Sequence, residues 1–105
     1  MTTLKFGLAL GCGALALSIA SAQAQEPIKI GVVSVLTGPA ASLGQQVRDG
    51  FQLAVDKNGG KLGGVPVKIT VIDDELKPDV AVERVRSFVE SEKPAFVVGP
   101  VFSNI

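Results

Sequence analysis

The chain has no histidine, tyrosine or tryptophan, and its single cysteine, Cys12, sits in an N-terminal apolar run. Without histidine, neither the Ser-His-Asp type of triad nor an imidazole metal site can be assembled from these residues. Without tyrosine and tryptophan there are few aromatic faces on which to stack bases and no belt for a membrane interface. Charge of one sign is not in excess either: ten Lys and Arg balance ten Asp and Glu. That balance gives no general attraction to nucleic acid or to an anionic membrane surface. What remains is a chain of 105 residues, 47% hydrophobic and with 12 glycines, that must work through backbone, hydroxyls and carboxylates.

The first 25 residues read as an export signal. Lys5 supplies a positive start, residues 6–19 are almost wholly apolar, and "SAQAQ" carries small residues at Ala22 and Ala24 for cleavage. The apolar run is shorter than the roughly 20 residues of a membrane-spanning helix. Cys12 lies inside the run rather than at its end, so it does not mark a lipid attachment site. Cleavage removes the only cysteine and predicts a periplasmic product without disulfides, one that must rely on an apolar core. About 80 residues are left for that core, near the size at which a single domain becomes marginal. The expectation is therefore a piece of a longer protein.

Strand and helix patterns alternate through residues 26–105. "IKIGVVSV" (28–35) is a β-branched run without polar alternation, as in a strand buried on both faces. From Ser42 to Asn58 the apolar residues Leu43, Val47, Phe51, Ala54 and Val55 recur at helical spacing, and Gly59-Gly60 ends the helix. "GGKLGG" lacks the features of a phosphate loop and reads as a flexible connection. "VPVKITVIDD" (65–74) alternates, with Lys68 and Thr70 on one side and Pro66 at its start, as at an edge. Pro78 opens a second helix with Val82, Val85, Phe88 and Val89 inward, and "AFVVG" (95–99) is a third strand. This order predicts an α/β fold with right-handed crossovers and a parallel, doubly wound sheet. The half-polar second strand is expected outermost, giving spatial order 2-1-3.

In such sheets ligands bind beyond the carboxyl ends of the strands, where the strand order reverses. The loops facing that point are residues 35–44 and 99–104. They contain no nucleophile with a base; they offer hydroxyls, glycine-exposed backbone and helix N-termini. Ser103 and Asn104 stand where a further helix would begin, and Thr37 and Ser42 occupy the same situation in the first loop. Free N–H groups and the positive dipole end favour an anion there. A charge-assisted hydrogen bond to a carboxylate contributes about 1.5–3 kcal/mol net. The same residues also serve as plain helix caps and turns. Asp73-Asp74 reads as a solvated loop, or else as the acid pair of a phospho-acceptor domain.

Two stretches carry a family resemblance: "IKIGVVSVLTGPAASLGQQVRDGFQLAVDKNGGKLGG", and "VKITVIDDELKPDVAVERVRSFVESEKPAFVVGPVFS" after it. Together they resemble the periplasmic solute-binding proteins of branched-chain amino acid ABC transporters, through L-T-G-P with Gly44, the D-D, K-P-D-x-A and V-V-G-P-x-x-S. The resemblance implies a two-lobed, non-enzymatic receptor of type I periplasmic-binding-protein fold that needs no cofactor. Such a receptor closes on an amino acid or other small organic acid and delivers it to membrane permease subunits. Residues 26–105 would be part of its N-terminal lobe. It also implies that Ser103 holds the ligand carboxylate through its hydroxyl and backbone amides; Asn104 and Phe102 beside it, and Thr37, Ser42 and Leu43 in the first loop, complete the expected ligand site. An aromatic residue often precedes the glycine matching Gly44; Leu43 departs from that pattern and leaves aromatic acids as alternative ligands. An extracellular sensor domain of the same fold is the other reading.

Overall fold

The computed structural model describes residues 25–105; apart from Gln25, the expected export signal lies outside the described residues. The elements run β1 (Ile28–Ser34), α1 (Ala41–Lys57), β2 (Lys61–Leu62), β3 (Val65–Asp73), α2 (Pro78–Glu92) and β4 (Phe96–Val98). They form one sheet in the order β2-β3-β1-β4. β1 pairs in parallel with both neighbours, Ile30 opposite Ile69 on one side and Phe96 on the other. The three parallel strands therefore stand in the expected relative order, but a fourth strand is added outside them. β3 is not the outermost strand along its whole length, because β2 pairs antiparallel with its first two residues.

That extra strand corrects the reading of "GGKLGG" as a flexible connection. The four glycines fall into two pairs with separate tasks. Gly59 and Gly60, at φ 67° and 77°, close α1. Gly60 N–H donates to the Val55 carbonyl at 2.9 Å and Gly59 N–H to that of Asp56 at 3.0 Å, the paired bonds of a Schellman cap. Gly63 and Gly64, at φ 57° and 79°, make the two-residue turn between β2 and β3. Two successive positive φ values are what a type I′ hairpin requires.

β1 leads through α1 to β3 on one side, and β3 leads through α2 to β4 on the other. Right-handed crossovers running in opposite directions place the two helices on opposite faces. Val33, Ile72 and Phe88 form a buried cluster on the α2 face, with Val85 packed against it. Gly31 lies on the same face as Val33, and a Cβ there would come within 2.6 Å of the Phe88 ring. Ile30 and Val32 are also buried and point to the opposite face, so β1 is enclosed from both sides. Lys29 and Glu92 join the start of β1 to the end of α2 at 2.8 Å. β4 differs: Phe96 is 60% exposed, and Val97 and Val98 are exposed beside it.

The rim where the strands end is fixed by backbone proximity. A Cβ at Gly44, in the first turn of α1, would collide with the Val35 carbonyl oxygen. Ser34, fully buried, donates its hydroxyl proton to the Gly44 carbonyl at 2.8 Å. The helix start thus lies directly on the strand end. Gly44→Ala in the full-length protein should lower unfolding free energy by about 3 kcal/mol or more, since backbone must move. Gly50→Ala, in the same helix with open space around it, should raise it by up to about 1 kcal/mol. Urea unfolding of the two variants checks the contrast.

Candidate binding rim

The parallel register sets Ser34 opposite Asp73, so β1 and β3 end together. β4 ends on the same side, with Val98 opposite Val32. The loops after β1 and β4 therefore leave one rim from neighbouring strands, as expected from the sequence. Thr37, Ser42 and Leu43 are exposed on the first loop and the opening of α1. Ser103 and Asn104 are exposed in a turn after β4, and Phe102 is half-buried with its carbonyl accepting Ile105 N–H at 3.2 Å. α1 begins at Ala41, one residue before the expected start, and Ala40 caps it without a side-chain hydrogen bond. Gly99, at φ 116°, brings the second loop so close to β1 that a Cβ would strike the Val33 carbonyl. The peptide bond joining Gly99 to Pro100 is cis.

The acid pair is not a solvated loop. Asp74 is fully buried, and its Oδ1 accepts Leu76 N–H at 2.8 Å. Its Oδ2 has no hydrogen-bond partner among the described residues. Asp74 N–H donates to the Ser34 carbonyl at 3.1 Å, extending the ladder one residue past β3. Asp73 is more heavily engaged. Its Oδ1 accepts Leu36 N–H and Glu75 N–H, each at 2.9 Å, and its Oδ2 accepts the Thr37 hydroxyl at 2.9 Å. Arg84, from α2, donates to the Asp73 carbonyl at 2.7 Å and to the Glu75 carboxylate at 2.5 Å. Between the two aspartates and Lys77 the chain turns through Glu75 and Leu76, both at positive φ of 53° and 57°. Such left-handed conformations cost roughly 1–2 kcal/mol per ordinary residue, and the two Asp–N–H bonds hold them in place.

Sequence reasoning missed these roles. The available signal was position: adjacent aspartates at a strand's carboxyl end, four residues before the proline that starts a helix. Beside the rim runs an apolar groove of about 510 Å³ between α2 and β4, lined by Val33, Val85, Val89, Val97 and Pro100 among others. None of the six expected site residues lines it. Among the described residues no three of His, Cys, Asp and Glu gather as a metal ion would need.

Three parallel strands thus end on one side, and the loops after β1 and β4 leave that side with exposed Thr37, Ser42, Ser103 and Asn104. The periplasmic binding protein family model matches residues 27–105, and the chain belongs to that family. It is 41% identical to a Leu/Ile/Val-binding protein of Rhizobium johnstonii, over 78% of this chain and 23% of the relative. It is 34% identical to the Leu/Ile/Val-binding protein of Escherichia coli, over 93% of this chain and 27% of that protein. Among solved structures, an ABC transporter substrate-binding protein from Sphaerobacter thermophilus superposes with a TM-score of 0.69 at 34% identity. That superposition covers 75% of this chain and 21% of the other. A solute-binding protein of R. palustris in complex with benzoate gives 0.66 at 34% identity, covering 70% of this chain and 21% of that one. The chain spans about a quarter of the length of the curated relatives it matches.

The Asp73 contacts carry a pH dependence. Desolvation pushes its carboxyl upward, but Leu36 N–H, Glu75 N–H, the Thr37 hydroxyl and the Arg84 charge together outweigh it and hold it below the ordinary value. An unfolded-chain aspartate titrates near about 3.9. A lowered folded value contributes stability above that pH and loses it as pH falls through the folded value. The stability gap between the full-length wild type and Asp73→Asn should therefore narrow from about pH 5 to about pH 3. Urea midpoints measured across that range check it; a constant gap would contradict the assignment.

Proposed function

We propose that this chain is part of the first lobe of a periplasmic solute-binding component of an ABC importer, and that it captures a small carboxylate without catalysing any reaction. The observation that carries this reading is the shared rim: β1 and β4 are neighbours in parallel, and both following loops expose donors on the same side. In this reading Ser103, with Asn104 and Phe102, meets the ligand carboxylate through its hydroxyl and adjacent backbone. Thr37, Ser42 and Leu43 supply the facing part of the wall. The groups that would meet the rest of the ligand belong to a second lobe, and closure of lobes about a hinge completes the site; periplasmic binding proteins are a standing example of such closure. Membrane permease subunits are the partners to which the loaded protein delivers its ligand.

The similarity to Leu/Ile/Val-binding proteins favours a branched-chain amino acid. The benzoate complex of a 34% identical relative supports a second reading, an aromatic acid, which Leu43 in place of an aromatic side chain also suits. A carboxylate is common to both ligands, so the role of Ser103 is the same in each. Thermal melting of the full-length protein with L-leucine, L-isoleucine, L-valine and benzoate separates them. The cognate compound at 100 times its Kd should stabilise by about 2.7 kcal/mol. A melting temperature unmoved by all four would refute the ligand class. Ser103→Ala should weaken binding of the compound that works by about 1–3 kcal/mol, which calorimetry measures directly.

A further inference from the structure

We infer that Asp73 is a positioning residue of the binding rim: it fixes the loop after β1 through Leu36 and Thr37 and never touches the ligand. The inference rests on the reading of that loop as one wall of the site. Asp73 stands at the end of β3, opposite Ser34 in the register, and is held from its own side by Glu75 N–H and by Arg84 on its carbonyl. From that fixed position it accepts one hydrogen bond from each of the two residues that follow Val35, one from the backbone and one from a side chain. A hydroxyl has a single proton to donate. The Thr37 proton is directed at Asp73, so the residue serves the rim by ordering its loop rather than by donating to a ligand carboxylate. The loop then turns at Gly38, φ 83°, whose carbonyl accepts Ala41 N–H at 3.1 Å as α1 begins. Asp73 therefore sets the path leading to Ser42 and Leu43. A loop already ordered before binding spares the ligand the entropic cost of ordering it.

The charge of Asp73 makes the role distinguishable from an electrostatic one. A bare carboxylate at the rim repels a carboxylate ligand, so an Asp73 acting only through charge would give tighter binding in every neutral variant. A positioning Asp73 gives the opposite result for alanine and a near-normal result for asparagine. The asparagine carbonyl can accept the backbone amides while its NH₂ donates to the Thr37 oxygen.

Calorimetry with L-leucine and benzoate on the full-length protein, beside amide hydrogen exchange of residues 36–42, tests this. Asp73→Ala should weaken binding of whichever probe the wild type binds by about tenfold and speed exchange in residues 36–42. Asp73→Asn should restore affinity to within about threefold of wild type. Thr37→Val, a surface change that does not threaten folding, should also weaken binding, and Thr37→Ser should restore it. On the Asp73→Ala background Thr37→Val should cost nothing further, because the two act as one unit. Additive losses would mean that Thr37 meets the ligand itself and would overturn the inference. Tighter binding in Asp73→Ala, or unchanged exchange in residues 36–42, would also overturn it. If Ser103→Ala weakens binding and neither Thr37→Val nor Asp73→Ala does, only this inference falls. If the wild type binds neither probe, or Ser103→Ala leaves affinity unchanged, the reading of the site falls and this inference with it.

Discussion

Everything in this structure hangs on β1 being paired in parallel on both sides. A strand so placed has no free edge, and the crossovers on either side of it must travel in opposite directions. Their common handedness then sends the helices to opposite faces. The same pairing brings the carboxyl ends of β3, β1 and β4 to one side, and each following loop leaves from that side. A binding rim is the geometric consequence, made before any side chain at it is chosen. The glycines at closest approach serve this arrangement. Gly44 lets α1 start against the Val35 carbonyl, and Gly99 lets the last loop pass the Val33 carbonyl. Side chains at those positions would push the loops away from the rim.

The large periods of the chain were legible in the sequence. The unbroken β-branched run of β1 announced burial on both faces, and Val85 and Phe88 at helical spacing announced the face that meets Val33 and Ile72. Gly59-Gly60 and Pro78 marked helix ends correctly because each has one dominant conformational use. Less legible were features in which one residue type serves several purposes. Glycines in "GGKLGG" read as slack because a glycine-rich stretch permits it. The same residues supply a helix cap and a hairpin turn, and only the backbone angles distinguish these uses. The aspartates read as solvated because most charged pairs are. Asp74 is instead buried, and the Asp73 carboxylate is held by donors distant in sequence, Leu36 N–H and the Thr37 hydroxyl, which no local pattern reveals.

Exposure of β4 shows how pattern and environment separate. Its residues are as apolar as those of β1, yet Phe96, Val97 and Val98 are exposed among the described residues. Strands of parallel sheets are ordinarily covered on both faces. Here α1 and α2 cover β1 and β3, and the groove between α2 and β4 remains open with Val85, Val89 and Val97 along it. The sequence states what β4 is made to contact; it does not state that the contact is present in these residues.

The rim carries three consecutive acids, Asp73, Asp74 and Glu75, beside loops that we propose receive an anion. Left unneutralised, they would oppose that task at the distances involved. Each instead accepts at least one local hydrogen bond, although Oδ2 of Asp74 has no partner among the described residues. Asp73 gathers three donors, Asp74 accepts Leu76 N–H from within the fold, and Glu75 lies against Arg84. The acids thus spend their negative charge on holding a strained turn and the neighbouring loop. The donors of the loop after β4 remain uncommitted to them. A chain without histidine can still present a surface favourable to a carboxylate in this way. Asp73 and Asp74 accept backbone N–H groups, while Ser42 and Ser103 stand exposed at the rim. Affinity for a small acid would then depend less on any opposing positive side chain than on how rigidly these neutral donors are held.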